Sequence, residues 1–402
     1  MSFFSRTPQY RAPVGVLDIA GGSVGATLFA YTGEQGTFVP RHNVSVRYDF
    51  PFNESDGEAP HIPEEALENA LHALYLGRSD LNRLRVFFSP PHGVSHLYIR
   101  ERVFDAETTI TKELVHELLD EAFTAFKKNE PKYASLPELY TVEGARVNGY
   151  SVETPIGMRV RSISLSIAVS AAPSLSEAVS RAISKIFSSR VDIEYYAEVA
   201  ALPRSIIHAY PGGSRNFLAI AIGDTYSTIS TVWHGLLIDE NAIPLGKRSV
   251  IERVARALNV APPSALIFLR DSSQAPKELS AMLPTVIVPI VSEWTREFNT
   301  VAQKILESRF VPETVYLISD EPALLSLGTD ALKDPSFMSF TFSTTLRTLG
   351  ALNSKGELVK TLREGGTYDD MRLMLFAHFC ASIDEAPASP VGRHFLASNT
   401  KL

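Results

Sequence analysis

Apolar residues along the chain fall into runs of different period, and each period predicts an element. Val14-Gly-Val-Leu-Asp-Ile19 and Phe217-Leu-Ala-Ile-Ala-Ile222 are near-continuous apolar stretches, the pattern of strands covered on both faces. The first runs into Ala20-Gly21-Gly22 and is followed by a second strand from Val24 to Tyr31. Phe38 to Tyr48 reads as a third strand, with Val44, Val46 and Tyr48 alternating against polar residues. Ser95 to Phe104 is a long strand. In Arg159 to Val169, Ile163, Leu165, Ile167 and Val169 alternate with Ser162, Ser164 and Ser166.

Helical spacing interrupts these strands. Leu67, Ala70, Leu71, Leu74 and Tyr75 share one face of a helix over 64–76 that Gly77 closes. Thr111 is placed as an N-cap ahead of the stripe Leu114, Val115, Leu118, Leu119, Ala122, Phe123 and Phe126. Ser174 and Glu177 have capping-box spacing and open a helix to about Phe187. Residues 84–187 therefore read as a small α/β unit of their own.

The plan of residues 14–31 then recurs. The strand 217–222 turns at Gly223-Asp224, and Tyr226 to His234 leads away with Ile229, Thr231 and Trp233 on one face. Pro244-Leu245-Gly246-Lys247 enters a helix with Val250, Ile251, Val254, Ala255 and Leu258 on one side. A long helix is expected from Ser292 to Arg309, and a short buried strand from Thr314 to Ile318. A repeated strand–turn–strand implies two similar lobes. The expected division is a first lobe over 1–83, the inserted unit over 84–187 and a return to the first lobe over 188–213. A second lobe over 214–345 follows, then closing elements and a flexible tail over 346–402.

Composition narrows the function classes. A formal net charge of −7 offers no global basic field to a phosphate backbone, so nucleic acid is not an expected partner. Cys380 is the single cysteine, which excludes an internal disulfide or a thiolate metal cluster and leaves it a small buried hydrophobe. The histidines show no metal-binding spacing. No stretch approaches the roughly 20 apolar residues that span a bilayer, and residues 1–13 carry no signal-like run. A cytoplasmic protein is expected. Met371-Arg-Leu-Met-Leu-Phe376 with Phe379 is read as a packed closing helix in preference to a membrane-lying one.

Two glycine turns that follow apolar strands are the candidate anion sites, because their backbone N–H groups can cradle a phosphate. They supply Gly21, Gly22 and Ser23 on one side and Gly223, Asp224 and Thr225 on the other. Asp18, ending the first strand, is the candidate ligand of a hydrated Mg²⁺. Plain hairpin turns are the alternative, since neither a Walker P-loop nor a dinucleotide fingerprint is present. Lys247 and Arg248 are read as solvent-facing charges at a helix start.

The order of these motifs resembles the FtsA/PilM branch of the actin-like ATPases. The resemblance rests on Val16-Leu-Asp-Ile-Ala-Gly-Gly22, the inserted unit, Ile222-Gly-Asp-Thr225, Ile243-Pro-Leu-Gly-Lys247 and, most specifically, Pro155-Ile-Gly-Met158. It covers roughly residues 14–345. It implies an actin-like (ribonuclease H-like) two-lobed α/β fold with an inserted small α/β subdomain, and ATP with Mg²⁺ between the lobes. It places an adenosine loop after Thr314 to Ile318, beginning at Ser319. It also implies a scaffold at the inner face of the cytoplasmic membrane, in cell division or type IV pilus assembly. Protein partners, indirect membrane contact and self-association through residues 84–187 and the lobes go with that role.

The departures from the family pattern are specific. Ala221 stands where the second phosphate loop has its aspartate, Asp224 and Thr225 replace glycines, and Thr228 replaces the closing aspartate. The adenosine loop reads Ser319-Asp-Glu-Pro322, without glycine. Two of the three nucleotide elements are altered, so at most a weak ATPase is expected. A nucleotide-free scaffold that binds a partner peptide is the alternative reading, and a sugar or metabolite kinase on the same fold a further one.

Overall fold

The computed structural model describes residues 13–31, 38–39, 45–49, 62–133, 139–152, 154–188, 190–210, 212–307, 314–319, 321–333, 345–349 and 370–385. Asp320, the loop over 53–61 and the tail expected at the C-terminus lie outside the described residues.

The first apolar run forms β1 (Val14–Ala20), which pairs antiparallel with β2 (Ser23–Tyr31) across the two-residue Gly21-Gly22 turn. The third strand expected over 38–48 is two pieces, β3 (Phe38–Val39) and β4 (Ser45–Asp49), both on β2. On the other side of β1 lie β5 (Arg83–Phe88) and β10 (Asp192–Ala197), each parallel to its neighbour. The order is β10-β5-β1-β2-β3, with β4 also on β2. Helices α1 (Glu64–Gly77) and α3 (Pro173–Ile186) share a core with this sheet through Leu67, Leu71, Leu74, Leu175 and Val179. The start of α3 differs from expectation. Pro173 opens it at the first helical position, where a missing N–H is harmless, and the N-cap makes no side-chain bond.

The second sheet repeats the plan. Strands β11 (Phe217–Ile222), β12 (Ser227–Trp233) and β13 (Leu236–Ile243) are successively antiparallel, while β14 (Thr314–Ile318) and β15 (Thr345–Leu349) run parallel to β11. Around it pack α5 (Lys247–Leu258), α6 (Pro262–Arg270), α7 (Lys277–Glu307) and α8 (Pro322–Lys333). Helix α7 begins well before the expected Ser292 and runs through Pro284 and Pro289. Burial of Leu283, Ile290, Trp294 and Phe298 offsets the hydrogen bonds those prolines forgo.

A third sheet, β6-β9-β7-β8, comprises β6 (Val94–Thr109), β7 (Leu139–Val147), β8 (Tyr150–Val152) and β9 (Arg159–Ala171), all antiparallel. Helix α2 (Lys112–Asn129) covers one face, capped by the Thr111 hydroxyl, which accepts from the Leu114 N–H at 3.3 Å. Sheet membership draws the edges of this unit inside 84–187. The strand expected from Leu84 is β5 of the first sheet, and α3 packs against α1.

Two helices join the halves. Helix α4 (Glu198–Ala209) follows β10, and α9 (Met371–Glu385) is largely apolar and buried on nearly every side. Phe376 stacks on Phe87 at 4.1 Å between ring centroids, and the same core takes in Phe217, Ala219 and Tyr316 of the second sheet. The segment 371–379 is thus a core element, as expected of a helix hydrophobic all round, and offers no face to a membrane. Among the described residues no helix is long and apolar enough to cross a membrane.

Candidate functional site

The turns after β1 and β11 face each other, as the motif order implied. Their contents differ from a nucleotide cradle. Asp18 is fully buried on β1, and both of its oxygens are taken by arginines. Nε and Nη2 of Arg372, from the first turn of α9, each donate at 3.0 Å to a different carboxylate oxygen. Nη2 of Arg47, on β4, donates to Oδ2 at 2.7 Å. Arg47 also donates to the Ser23 hydroxyl at 2.8 Å and to Asp370 at 2.6 Å. Arg372 further donates to Glu198 at the start of α4.

Burial alone would raise the Asp18 pKa, but Arg372 and Arg47 outweigh it and hold the carboxyl below its ordinary value. Glu198 goes the other way. Burial raises its pKa against the pull of Arg372, and Asp18 adds to the rise. His92 closes the floor: its Nε2–H donates to the Ala20 carbonyl at 2.8 Å, and burial pulls its pKa down to about 4.

The second turn is also filled. Asp224 is paired with Lys247 at 3.3 Å and with Arg248 at 3.2 Å. These two cations are therefore part of the cleft, and their expected role as solvent-facing charges is corrected. A lone carboxylate beside them recruits them at short range. The Asp224 carboxylate lies against the backbone of Gly22, where a β-carbon would collide with its Oδ2, and the Thr225 hydroxyl lies against Gly21 in the same way. At both places the opposite turn comes so close that an added β-carbon would have to displace its side chains. Gly223 takes part through backbone: its N–H donates to the Tyr226 carbonyl at 2.9 Å.

Where the adenosine loop is implied, Ser319 is buried and its hydroxyl accepts from the Glu321 N–H at 3.1 Å. Glu321 receives Arg270 of α6 in a forked pair, Nη2–Oε2 at 2.7 Å and Nε–Oε1 at 3.0 Å.

What space remains is a cavity of about 150 Å³ bounded by Ser23, Arg47, Gly223, Asp224, Lys247 and Arg372 among others. Small-molecule sites usually offer about 300–1,000 Å³. Mg²⁺ does not fit the residues present, because Asp18 has no oxygen to spare and two guanidinium groups would face the ion. A triphosphate fits no better, since Asp224 already lies against Gly22 and is paired with Lys247 and Arg248.

The structure thus brings together Asp18, Ser23, Gly21, Gly22, Gly223, Asp224 and Thr225, with Ser319 at the rim, and adds Arg47, Glu198, Arg270, Glu321, Asp370 and Arg372. Two of the additions carry a sequence signal. Arg372 in Met371-Arg-Leu-Met-Leu-Phe376 and Glu198 in Ala197-Glu-Val-Ala-Ala-Leu202 are lone charges in apolar surroundings, a pattern that demands a buried partner.

No protein-family model matches the sequence, and no curated protein matches it. Among solved structures the chain is similar to that of a PilM–PilN type IV pilus biogenesis complex, at 14% identity over 92% of this chain and 99% of that one, with a TM-score of 0.58. It is also similar to the ethanolamine utilization protein EutJ from Carboxydothermus hydrogenoformans, at 11% identity over 85% and 86% of the two chains, with a TM-score of 0.46. The first likeness shows the fold, an actin-like (ribonuclease H-like) pair of lobes with a small inserted α/β unit.

Proposed function

We propose that this protein is an actin-like assembly scaffold that binds partner proteins and does not cycle on ATP. The observation that carries this reading is the pairing of Arg372 and Arg47 with Asp18, because it puts protein cations where a nucleotide-dependent relative needs a metal. The apparatus we propose is type IV pilus biogenesis, at the inner face of the cytoplasmic membrane. The likeness to a chain of a PilM–PilN complex over nearly its whole length supports that choice over a division tether of the FtsA kind.

In this role the protein presents surfaces and performs no bond chemistry. The described part of the inserted unit carries Ile99, Val103, Tyr150 and Met158 exposed, side chains that a self-association face would use. A kinase reading gains nothing from the cleft. Phosphoryl transfer needs a carboxylate base and a phosphate cradle, and here Asp18 and Asp224 are both committed to internal cations.

Calorimetry with ATP and Mg²⁺ tests the first half of the proposal, on the parent and on Asp18→Ala. No heat of binding at millimolar ATP is expected from either, and micromolar binding lost in the variant would overturn the nucleotide-free reading. Fluorescence anisotropy with a labelled PilN-type protein tests the second half. Saturable binding is expected, and its absence would remove the pilus assignment while leaving the fold argument intact.

A further inference from the structure

A second cavity lies away from the ion-paired cleft, where the ends of β5 and β10, the start of β6 and the β12–β13 pair meet. It has a volume of about 380 Å³, within the range of about 300–1,000 Å³ that small-molecule sites occupy. Its walls are largely apolar, with Phe88, Pro90, Pro91, Val94, Val199 and Ala242 contributing.

Two polar groups on these walls have no hydrogen-bond partner. Thr228 is 4% exposed and its hydroxyl bonds to nothing. Both carboxylate oxygens of Glu240 are closed off from solvent and equally without a bond of good geometry. Ser95 and the Leu97 backbone are close enough to that carboxyl to favour its charged form, though burial outweighs them. Glu198, also on the wall, is already committed to Arg372. A buried acid with no partner is costly, and each such group in a native fold requires an explanation.

We propose that this cavity binds a protonated amine or guanidinium carried on an apolar body, with the cation against Glu240 and Thr228 accepting a hydrogen bond. The apolar walls take the body. That chemistry is offered by a free small-molecule amine and equally by a lysine or arginine side chain in an apolar segment of a partner protein. The inference does not depend on the assembly role proposed above.

The surroundings of Glu240 set the pH behaviour. Asp239 on β13 adds negative charge, Glu143 on β7 and Tyr98 on β6 are near, and Arg204 of α4 acts on Glu143. His96, on the cavity wall, is directed to Glu130 at 3.0 Å. Burial, with Asp239 adding to it, pushes the Glu240 carboxyl up to about 8, so at neutral pH it carries a proton that an arriving cation displaces. Binding therefore releases a proton, and affinity rises with pH up to about 8.

The test uses the full chain in calorimetry with two probes, hexylammonium chloride and an apolar peptide bearing one lysine. Saturable binding is expected, strengthening by about tenfold from pH 6.5 to 7.5 for one proton released. Glu240→Gln weakens it by about tenfold or more, the loss of a hydrogen bond to a charged group. Ala242→Trp, at an exposed position on the rim, blocks entry and decides the matter should Glu240→Gln fail to fold by circular dichroism. Binding of hexylammonium identifies a small amine as sufficient. Binding of the peptide alone identifies a partner segment. Binding of neither probe, or binding that both substitutions leave unchanged, overturns the proposal.

Discussion

Arg372 meets Asp18 as a fork, two guanidinium nitrogens each 3.0 Å from a different oxygen of the same carboxylate. A bidentate pair of this kind fixes orientation as well as charge. It is also anchored far from the cleft. Arg372 sits on α9, whose Phe376 stacks on Phe87 and whose Asp384 receives Nη2 of Arg85 at 2.7 Å. The helix that carries Arg372 is packed into a core that both sheets share. The arginine is a structural part of the fold.

Replacing Arg372 by Met should consequently destabilise the protein strongly. The substitution leaves Asp18 and Glu198 buried with one cation fewer, and breaking a buried pair from one side costs about 3–5 kcal/mol. Urea denaturation followed by circular dichroism measures this. Adding Asp18→Asn to Arg372→Met should recover part of the loss, because the orphaned charge is then removed. A double variant no more stable than Arg372→Met alone would show that packing of the arginine stem, and not its charge, matters.

Asp224→Gly should convert the second turn into an anion site. The carboxylate now occupies Lys247 and Arg248 and lies against Gly22, so its removal frees two cations beside a glycine turn. Sulfate should raise the melting temperature of the variant and leave that of the parent nearly unchanged, and the effect should shrink with added sodium chloride. Equal shifts in both proteins would mean that Asp224 does not block the turn.

The parts of the fold that were legible in the sequence are those that local pattern dictates. Val14 to Ile19 and Phe217 to Ile222 announce buried strands, and the glycines after them announce turns at which something comes close. What comes close was not legible, because Asp224 and Thr225 reach Gly22 and Gly21 from the other half of the chain. Arg372 and Glu198 were visible only as lone charges in apolar runs, with nothing to name their partners. Arg47, in an edge strand of ordinary alternation, carried no signal. The start of α7 was not legible either: it was expected at Ser292, whereas the helix begins at Lys277 and tertiary burial of Trp294 and Phe298 accompanies its passage through Pro284 and Pro289.

Stability should fall as pH rises between about 6.5 and 8. Burial pushes the Glu143 and Glu240 carboxyls up to about 8, well above their unfolded value of 4.5. The native state therefore holds protons that the unfolded chain has lost, and this contribution disappears as pH climbs through about 8. His92 and His378, pulled down to about 4 and about 3 by burial, act in the opposite sense, and their effect fades only as pH rises past their unfolded value of 6.5. The decline from the two acids is therefore clearest toward pH 8. Urea midpoints at pH 6.5, 7.2 and 8 should decline for the parent and decline less for Glu240→Gln. An equal slope in both would remove Glu240 as the cause.

Cys380 offers a direct reading of whether α9 ever leaves its place. It is the single cysteine of the chain, buried on α9, with its backbone carbonyl accepting from Arg85 at 3.0 Å. Burial pushes its thiol up to about 12, so almost no thiolate exists at neutral pH and no path leads a reagent to it in the closed fold. Labelling by an aromatic disulfide reagent then requires the helix to undock, and its rate measures the population of the undocked state. In the parent the free energy of that opening should approach the global value from urea unfolding, because α9 joins both sheets in one core. Arg372→Met should accelerate labelling at least as much as it lowers global stability. Rapid labelling of the folded parent would instead reveal a hinged, separately opening helix, and with it a cleft able to exchange its arginine for a ligand.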